Sequence, residues 1–252
     1  MNVVMPTTRE QVSGVAERRF FTTMALAALA IVFVGFAATY YLWPITRATH
    51  TLAGRPISPS FRLIVHLHAT GFSVWILLLL VQVRLVAAGR TALHKRLGLV
   101  AAGLVPFLVV TGIMTAVHGA HGGWTPPGGP FADALGFMVV PLGDMVVFTG
   151  LVIPGLALRR RPGVHKRLML FATIGALVPP ATTRMPIIAG WPIGLLLFVA
   201  LVLAPAVRDF RCHAQYRWIS LLVGLGILAS IPVRTLVGMS DPWRTFAAWL
   251  VG

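Results

Sequence analysis

Seven apolar runs divide this chain, at about residues 22–44, 61–86, 98–118, 135–158, 168–184, 190–207 and 218–238. A helix of about 20 such residues matches the ~30 Å hydrocarbon core of a bilayer. Backbone polar groups find no water there, so each run must close its hydrogen bonds within a helix. Composition agrees that lipid is the solvent. Of the 252 residues, 57% are hydrophobic and only 11% are charged, whereas soluble domains carry about 25% charged residues. The sequence therefore predicts an all-α integral membrane bundle of about seven transmembrane helices. Residues 1–252 form a single transmembrane domain, and 239–252, too short to span, form an interfacial tail on the outer surface.

The net charge of +15 raises the question of nucleic acid, and the distribution of that charge answers it. Arg9, Arg18 and Arg19 precede the first run, and Arg90, Lys95 and Arg96 follow the second. Arg159, Arg160, Arg161, Lys166 and Arg167 follow the fourth, and Arg208, Arg211 and Arg217 follow the sixth. The loop from His118 to Phe131 has no Lys or Arg. Basic residues gathered in alternate loops obey the positive-inside rule, which puts the N terminus in the cytoplasm and the C terminus outside. No nucleic-acid partner is implied. Tyr40, Tyr41, Trp43, Trp191, Trp243 and Trp249 fall at the outer interface, and Tyr216 and Trp218 at the inner one. The single cysteine, Cys212, excludes an intrachain disulfide and reads as an inert loop thiol. Arg18-Arg19-Phe20-Phe21 is similar to a twin-arginine signal, but the apolar run behind it exceeds a signal's 7–15 residues. It is read as an uncleaved first span.

Leu93-His94-Lys95-Arg96-Leu97 recurs as Val164-His165-Lys166-Arg167-Leu168. Each copy follows a span and an Arg-rich turn and opens another span. Residues 61–118 and 135–184 therefore read as repeated helical hairpins in parallel orientation. The fifth run carries Pro179-Pro180, Thr182, Thr183, Arg184 and Pro186, a pattern that opposes a clean helix. Unwound backbone at membrane depth requires protein or a wet cavity around it. The expectation is a polar cavity near the outer end, formed by Asp144, Arg184 and Arg234; the alternative is a helix that ends at Pro179.

Ionisable groups inside spans are functional hypotheses by default. His66, His68, His118, His121, Asp144, Arg184 and Arg234 all fall in the outer layer. His66 and His68 are two residues apart, about 200° around a helix, so they point to different sides. His118 and His121 share a face if the helix continues. This layer can hold a haem between His66 or His68 and His118, or a metal bound by His66, His68, His118, His121 and Asp144. The plainer alternative pairs Asp144 with Arg184 or Arg234 and leaves the histidines as structural hydrogen-bonders. His94 and His165 form a second pair at the inner ends of their spans, suited to two axial ligands of one haem b. The alternative there is two ordinary interfacial histidines. Gln82 and Arg84 can bond a propionate or a lipid phosphate. His50 and His213 read as solvated loop residues. The sequence has no phosphate-binding glycine loop, nucleophile elbow or zinc-protease motif.

His66-Leu67-His68, Trp75, Gln82, Gly89-Arg90, His94-Lys95-Arg96-Leu97-Gly98, Pro141-Leu142-Gly143-Asp144 and His165-Lys166-Arg167-Leu168 resemble a widespread family of uncharacterised bacterial multi-pass membrane proteins, over roughly residues 60–185. The opening of a span by His-Lys-Arg-Leu-Gly is more distantly similar to the transmembrane b-type cytochromes that include ascorbate-reducible cytochromes and ferric reductases. That resemblance implies a bacterial inner membrane, a four-helix core, two haems b and electron transfer across the bilayer. It makes His94 and His165 the inner ligands, with His66 or His68 at the outer haem. The fourth span departs from the pattern, because it offers Asp144 where a histidine is needed, and His118 would have to substitute. Three functional expectations follow. One is a haem b electron carrier working with a quinone or other redox partner. Another is a non-redox transporter or accessory subunit of a larger membrane complex. The third is a metal-binding membrane enzyme.

Overall fold

The computed structural model describes residues 8–42, 45, 63–125, 129–184 and 191–252. Its helices are α1 (Thr8–Phe36), α2 (Leu63–Ala87), α3 (Thr91–His121), α4 (Ala134–Phe137), α5 (Val139–Ala157), α6 (Pro162–Thr182), α7 (Trp191–Cys212), α8 (Arg217–Gly238) and α9 (Asp241–Val251). A π-helical turn at Ala37–Tyr41 ends α1, and a 3-10 turn at Ala214–Tyr216 leads into α8. No strand occurs among the described residues. The expectations for Trp43, His50, Pro186 and the side chain of Trp191 lie outside those residues.

Six helical stretches are long and apolar enough to cross a bilayer: Gly14–Phe36, Leu63–Ala87, Thr91–His121, Ala134–Ala157, Ile193–Cys212 and Ala214–Gly238. The protein is thus an all-α membrane bundle. The fifth run, realised as α6, is not among the six, and packing explains why. From Leu170 to Val178 every residue of α6 is buried. The helix packs against α1, α5, α7 and α8 and touches α2. A helix wrapped by other helices does not meet lipid and so needs no continuous apolar surface. The least apolar span is accordingly the centre of the molecule.

The double proline does not break α6, which ends at Thr182, close to the end at Pro179 that the plainer alternative expected. Proline removes an N–H and crowds the carbonyl four residues back, so Pro179 and Pro180 take the helical donors from Gly175 O and Ala176 O but leave the helix running to Thr182. The carbonyls of the last turn are capped by the side chains that follow. Thr182 Oγ1 donates to Pro179 O at 2.9 Å, and Thr183 Oγ1 donates to Pro180 O at 3.0 Å. Arg184 Nη1 donates to Pro180 O at 2.9 Å. The run Thr182-Thr183-Arg184 caps the C-terminal end of α6.

Two hairpins, α2–α3 and α5–α6, supply the most extensive helix pairs. The first turns at Gly89, whose φ of 72° is open to glycine at no steric cost. The second turns through Leu158–Arg161 into Pro162, which starts α6 with its φ already helical. Helix α3 packs on α5, while α2 and α6 touch lightly. The four helices therefore enclose a centre in which α3 and α6 lie on one diagonal and α2 and α5 on the other. Phe72, Trp75, Leu108, Phe148 and Val152 fill it, and Trp75 Nε1 donates to Thr173 Oγ1 at 3.0 Å. At the far end α9 docks on α3, α4 and α8 through Ala247, leaving Trp249 outward.

Candidate functional site

His94 and His165 are each the fourth residue of a helix, α3 and α6. They come from opposite corners of the four-helix unit, yet their ring centroids are 6.4 Å apart, with an interplanar angle of 81°. His165 Nδ1 lies 2.7 Å from Gly155 O. A carbonyl only accepts, so Nδ1 donates this bond, which orients the ring and leaves Nε2 as the nitrogen open to another partner. His94 Nδ1 is buried and has no hydrogen-bond partner, and neither does the buried Oε1 of Gln82 on α2. The Gln82 amide lies beside Gly98, one turn beyond His94 on α3. Two imidazoles on opposite sides of one metal centre sit about 6 Å apart between centroids, given metal–nitrogen bonds of ~2 Å. The donor chemistry and spacing fit that arrangement.

At the opposite end the predicted layer is partly assembled, with Asp144 in electrostatic reach of Arg234 and Arg184, and His68 of Arg184. His68 turns inward, its Nδ1 buried without a hydrogen-bond partner and its ring 4.8 Å from Phe72. His66 is exposed and lies beside Tyr40, whose hydroxyl donates to His66 O at 3.5 Å. The 200° separation expected from the sequence is what the helix gives. Helix α3 continues to His121, so His118 and His121 share a face in its last turn. Asp144 does not join them. Arg234 Nη1 donates to Asp144 Oδ1 at 2.5 Å and to Val140 O at 3.3 Å, and Nη2 donates to Ser230 Oγ at 3.2 Å. Gly143 makes room: a Cβ there would stand 2.5 Å from Arg234 Nε. Arg184 instead lies over the rings of Phe36 at 5.1 Å and Trp124 at 4.8 Å. Among the described residues no three His, Cys, Asp or Glu converge closely enough to hold a metal ion. Of the two pairings open to Asp144, the fold uses Arg234.

The most elaborate polar cluster was not anticipated. Arg167, fully buried, donates to Asp209 through Nε at 2.7 Å and Nη2 at 2.5 Å, and to Gly163 O through Nη1 at 2.7 Å. Its guanidinium lies 4.1 Å from the centroid of the Tyr216 ring. Ser220 Oγ donates to Asp209 Oδ2 at 2.5 Å. Glu17 pairs with Lys166 at 2.5 Å, and His213 stands 3.6 Å from both Glu17 and Asp209. His213 is therefore mostly enclosed at 14% side-chain exposure, not solvated as its loop position suggested. The cluster joins α1, α6, α7 and α8. A signal for it was present: the chain has only six acidic residues, and an acid at a span end, such as Glu17 or Asp209, must find a cation.

Searches against family models, curated proteins and solved structures found no match to this chain. What the fold itself defines is a multi-pass helical membrane protein.

Proposed function

We propose that this protein is a b-type cytochrome-like electron carrier of the bacterial inner membrane, in which His94 and His165 would hold a single haem b near the basic end. The observation that carries the reading is the facing pair itself. Two histidines at matching positions of repeated hairpins meet at 6.4 Å at the basic end of the four-helix unit, and the bond to Gly155 O leaves Nε2 as the open nitrogen of His165. When bound, haem b supplies a one-electron redox centre there. Gln82 lies beside the pair as a donor to an acidic substituent. The aromatic layer of Phe72, Trp75 and Phe148 excludes water from the bundle centre. The proposal places a single haem; at the outer end Asp144 is paired with Arg234. Electrons would come from a quinol or another redox partner, and the basic end would face the cytoplasm.

The test is a dithionite-reduced minus oxidised spectrum of the protein purified in detergent. A haem b α-band lost in both His94→Ala and His165→Ala is expected. A flat spectrum from haem-replete cells sinks the proposal.

One observation favours a second reading, a non-redox accessory subunit of a membrane complex. Glu17, Asp133, Asp144 and Asp209 are all paired with cations, which is how a purely structural scaffold disposes of buried charge. Under that reading the His94 and His165 double replacement leaves function unchanged.

A further inference from the structure

A groove of about 360 Å³ opens between α1 and α2 at the basic end, lined by Val15, Arg18, Arg19, Thr22, Arg84 and Ala87, with Thr23 beside them. We infer that it binds the phosphate diester of an anionic phospholipid. The inference rests on the bilayer-spanning fold and is independent of haem.

Three guanidiniums meet at this groove, and among the described residues none has an acidic partner. The ion pairs of the described residues use Lys166, Arg167, His213, Arg234 and Arg244 and leave Arg18, Arg19 and Arg84 out. All three are exposed. Like charges gathered at one groove repel one another unless an anion lies between them. Guanidinium forks match the oxygens of a phosphate. Thr22 Oγ1 is spent on Arg18 O at 2.9 Å, while Thr23 stands exposed at the groove wall.

What makes the ligand a lipid is the surface beyond the arginines. Residues three, four and seven apart share a helix face. Leu26 continues the face of Arg19 and Thr23 along α1, and Val81 and Leu77 continue that of Arg84 along α2. Their exposures of 48%, 42% and 51% leave an apolar track running from the charged mouth toward the bilayer centre. A headgroup phosphate and its acyl chain fit this order, and a choline ammonium among three guanidiniums does not.

The experiment is native mass spectrometry of the full chain in detergent, titrated with phosphatidylglycerol or phosphatidylcholine. At roughly fivefold per basic residue, the variant Arg18→Gln/Arg19→Gln/Arg84→Gln should lose about a hundredfold in phosphatidylglycerol affinity. A control with equal charge removed at the same end, Arg90→Gln/Arg160→Gln/Arg211→Gln, should lose less than about fivefold. Should the triple variant fold poorly, Arg84→Gln alone should lose about fivefold. Equal losses in the groove and control variants would mean a diffuse surface potential and overturn the site. Equal binding of phosphatidylcholine would overturn it as well. Displacement by millimolar inorganic phosphate would assign the groove to the free anion and overturn the lipid.

Discussion

Arg167 shows how little a residue's type says about its place. Read along the chain it belongs to a basic loop that fixes topology; in the fold it is fully buried and holds Asp209 with two hydrogen bonds. Breaking one side of such a pair strands a charge, at a cost of ~3–5 kcal/mol, whereas replacing both partners with apolar residues costs far less. Arg167→Met should therefore lower thermal stability in detergent sharply, and Arg167→Met/Asp209→Leu should recover much of the loss. A double variant as unstable as the single one would refute this account. Gly163 is the steric counterpart. A Cβ there would overlap the Tyr216 ring that covers Arg167. Gly163→Ala should cost about 1–3 kcal/mol through overpacking, and Tyr216→Leu in the same chain should relieve part of it. Gly143 under Arg234 follows the same logic at the other end of the bundle. Neither glycine could be singled out from sequence among 25, because the need for it arises from a side chain on a distant helix.

Helix α6 teaches the corresponding lesson for elements. Its proline pair suggested a broken or early-ending span, but the helix runs on to Thr182, and Thr182, Thr183 and Arg184 cap its last carbonyls. Arg184 does more than cap, since its guanidinium lies over Phe36 and Trp124 and so ties α6 to the ends of α1 and α3. Arg184→Met should lower stability by about 1–2 kcal/mol, the worth of a desolvated cation–π contact. Arg184→Lys should restore only part, since an ammonium lacks the flat face that stacks on two rings. Full restoration by lysine in a thermal melt would mean that charge alone matters. The ends of most other helices were legible to a few residues, but α1 begins at Thr8, well before the apolar run that starts at 22. Residues 218–238 of the sequence became Arg217–Gly238 and 61–86 became Leu63–Ala87. Helix α3 begins earlier than its apolar run, at Thr91 instead of 98, because a bilayer interface accepts Lys and Arg on a helix that hydropathy excludes.

At the scale of the molecule, orientation and charge placement can be tested with one native probe. Cys212, the single cysteine, is exposed at the end of α7 on the basic side. A membrane-impermeant maleimide should label it in inside-out vesicles and spare it in right-side-out ones. Labelling from the outside would invert the topology and, with it, the assignment of the histidine pair to the cytoplasmic half. Charge pairs also fix how the C-terminal helices attach. Arg234–Asp144 joins α8 to α5, Arg244–Asp133 joins α9 to the start of α4, and Arg167–Asp209 joins α6 to α7. In a bilayer, apolar contact between helices gains little over contact with lipid. Specific polar pairs and close small-residue approaches, such as Gly35 against Ala181 and Gly238 against Gly136, therefore decide which helices are neighbours.

The division between the two levels of information follows from that physics. Sequence alone determined the class of fold, because hydrocarbon admits only helices in a chain whose apolar runs are this long. It also determined the separation of basic and non-basic ends, the spacing of the repeated His-Lys-Arg-Leu segments, and the opposite facing of His66 and His68. Each is a one-dimensional property, a length, a charge count or an angle of 100° per residue. Only the tertiary structure decided that His94 and His165 face each other and that Asp144 takes Arg234 over Arg184. It likewise decided that the least apolar span lies at the centre and that Glu17, Asp209 and His213 gather around Arg167. Those are relations between helices far apart in the chain, set by which polar groups must find partners when no water is present to serve.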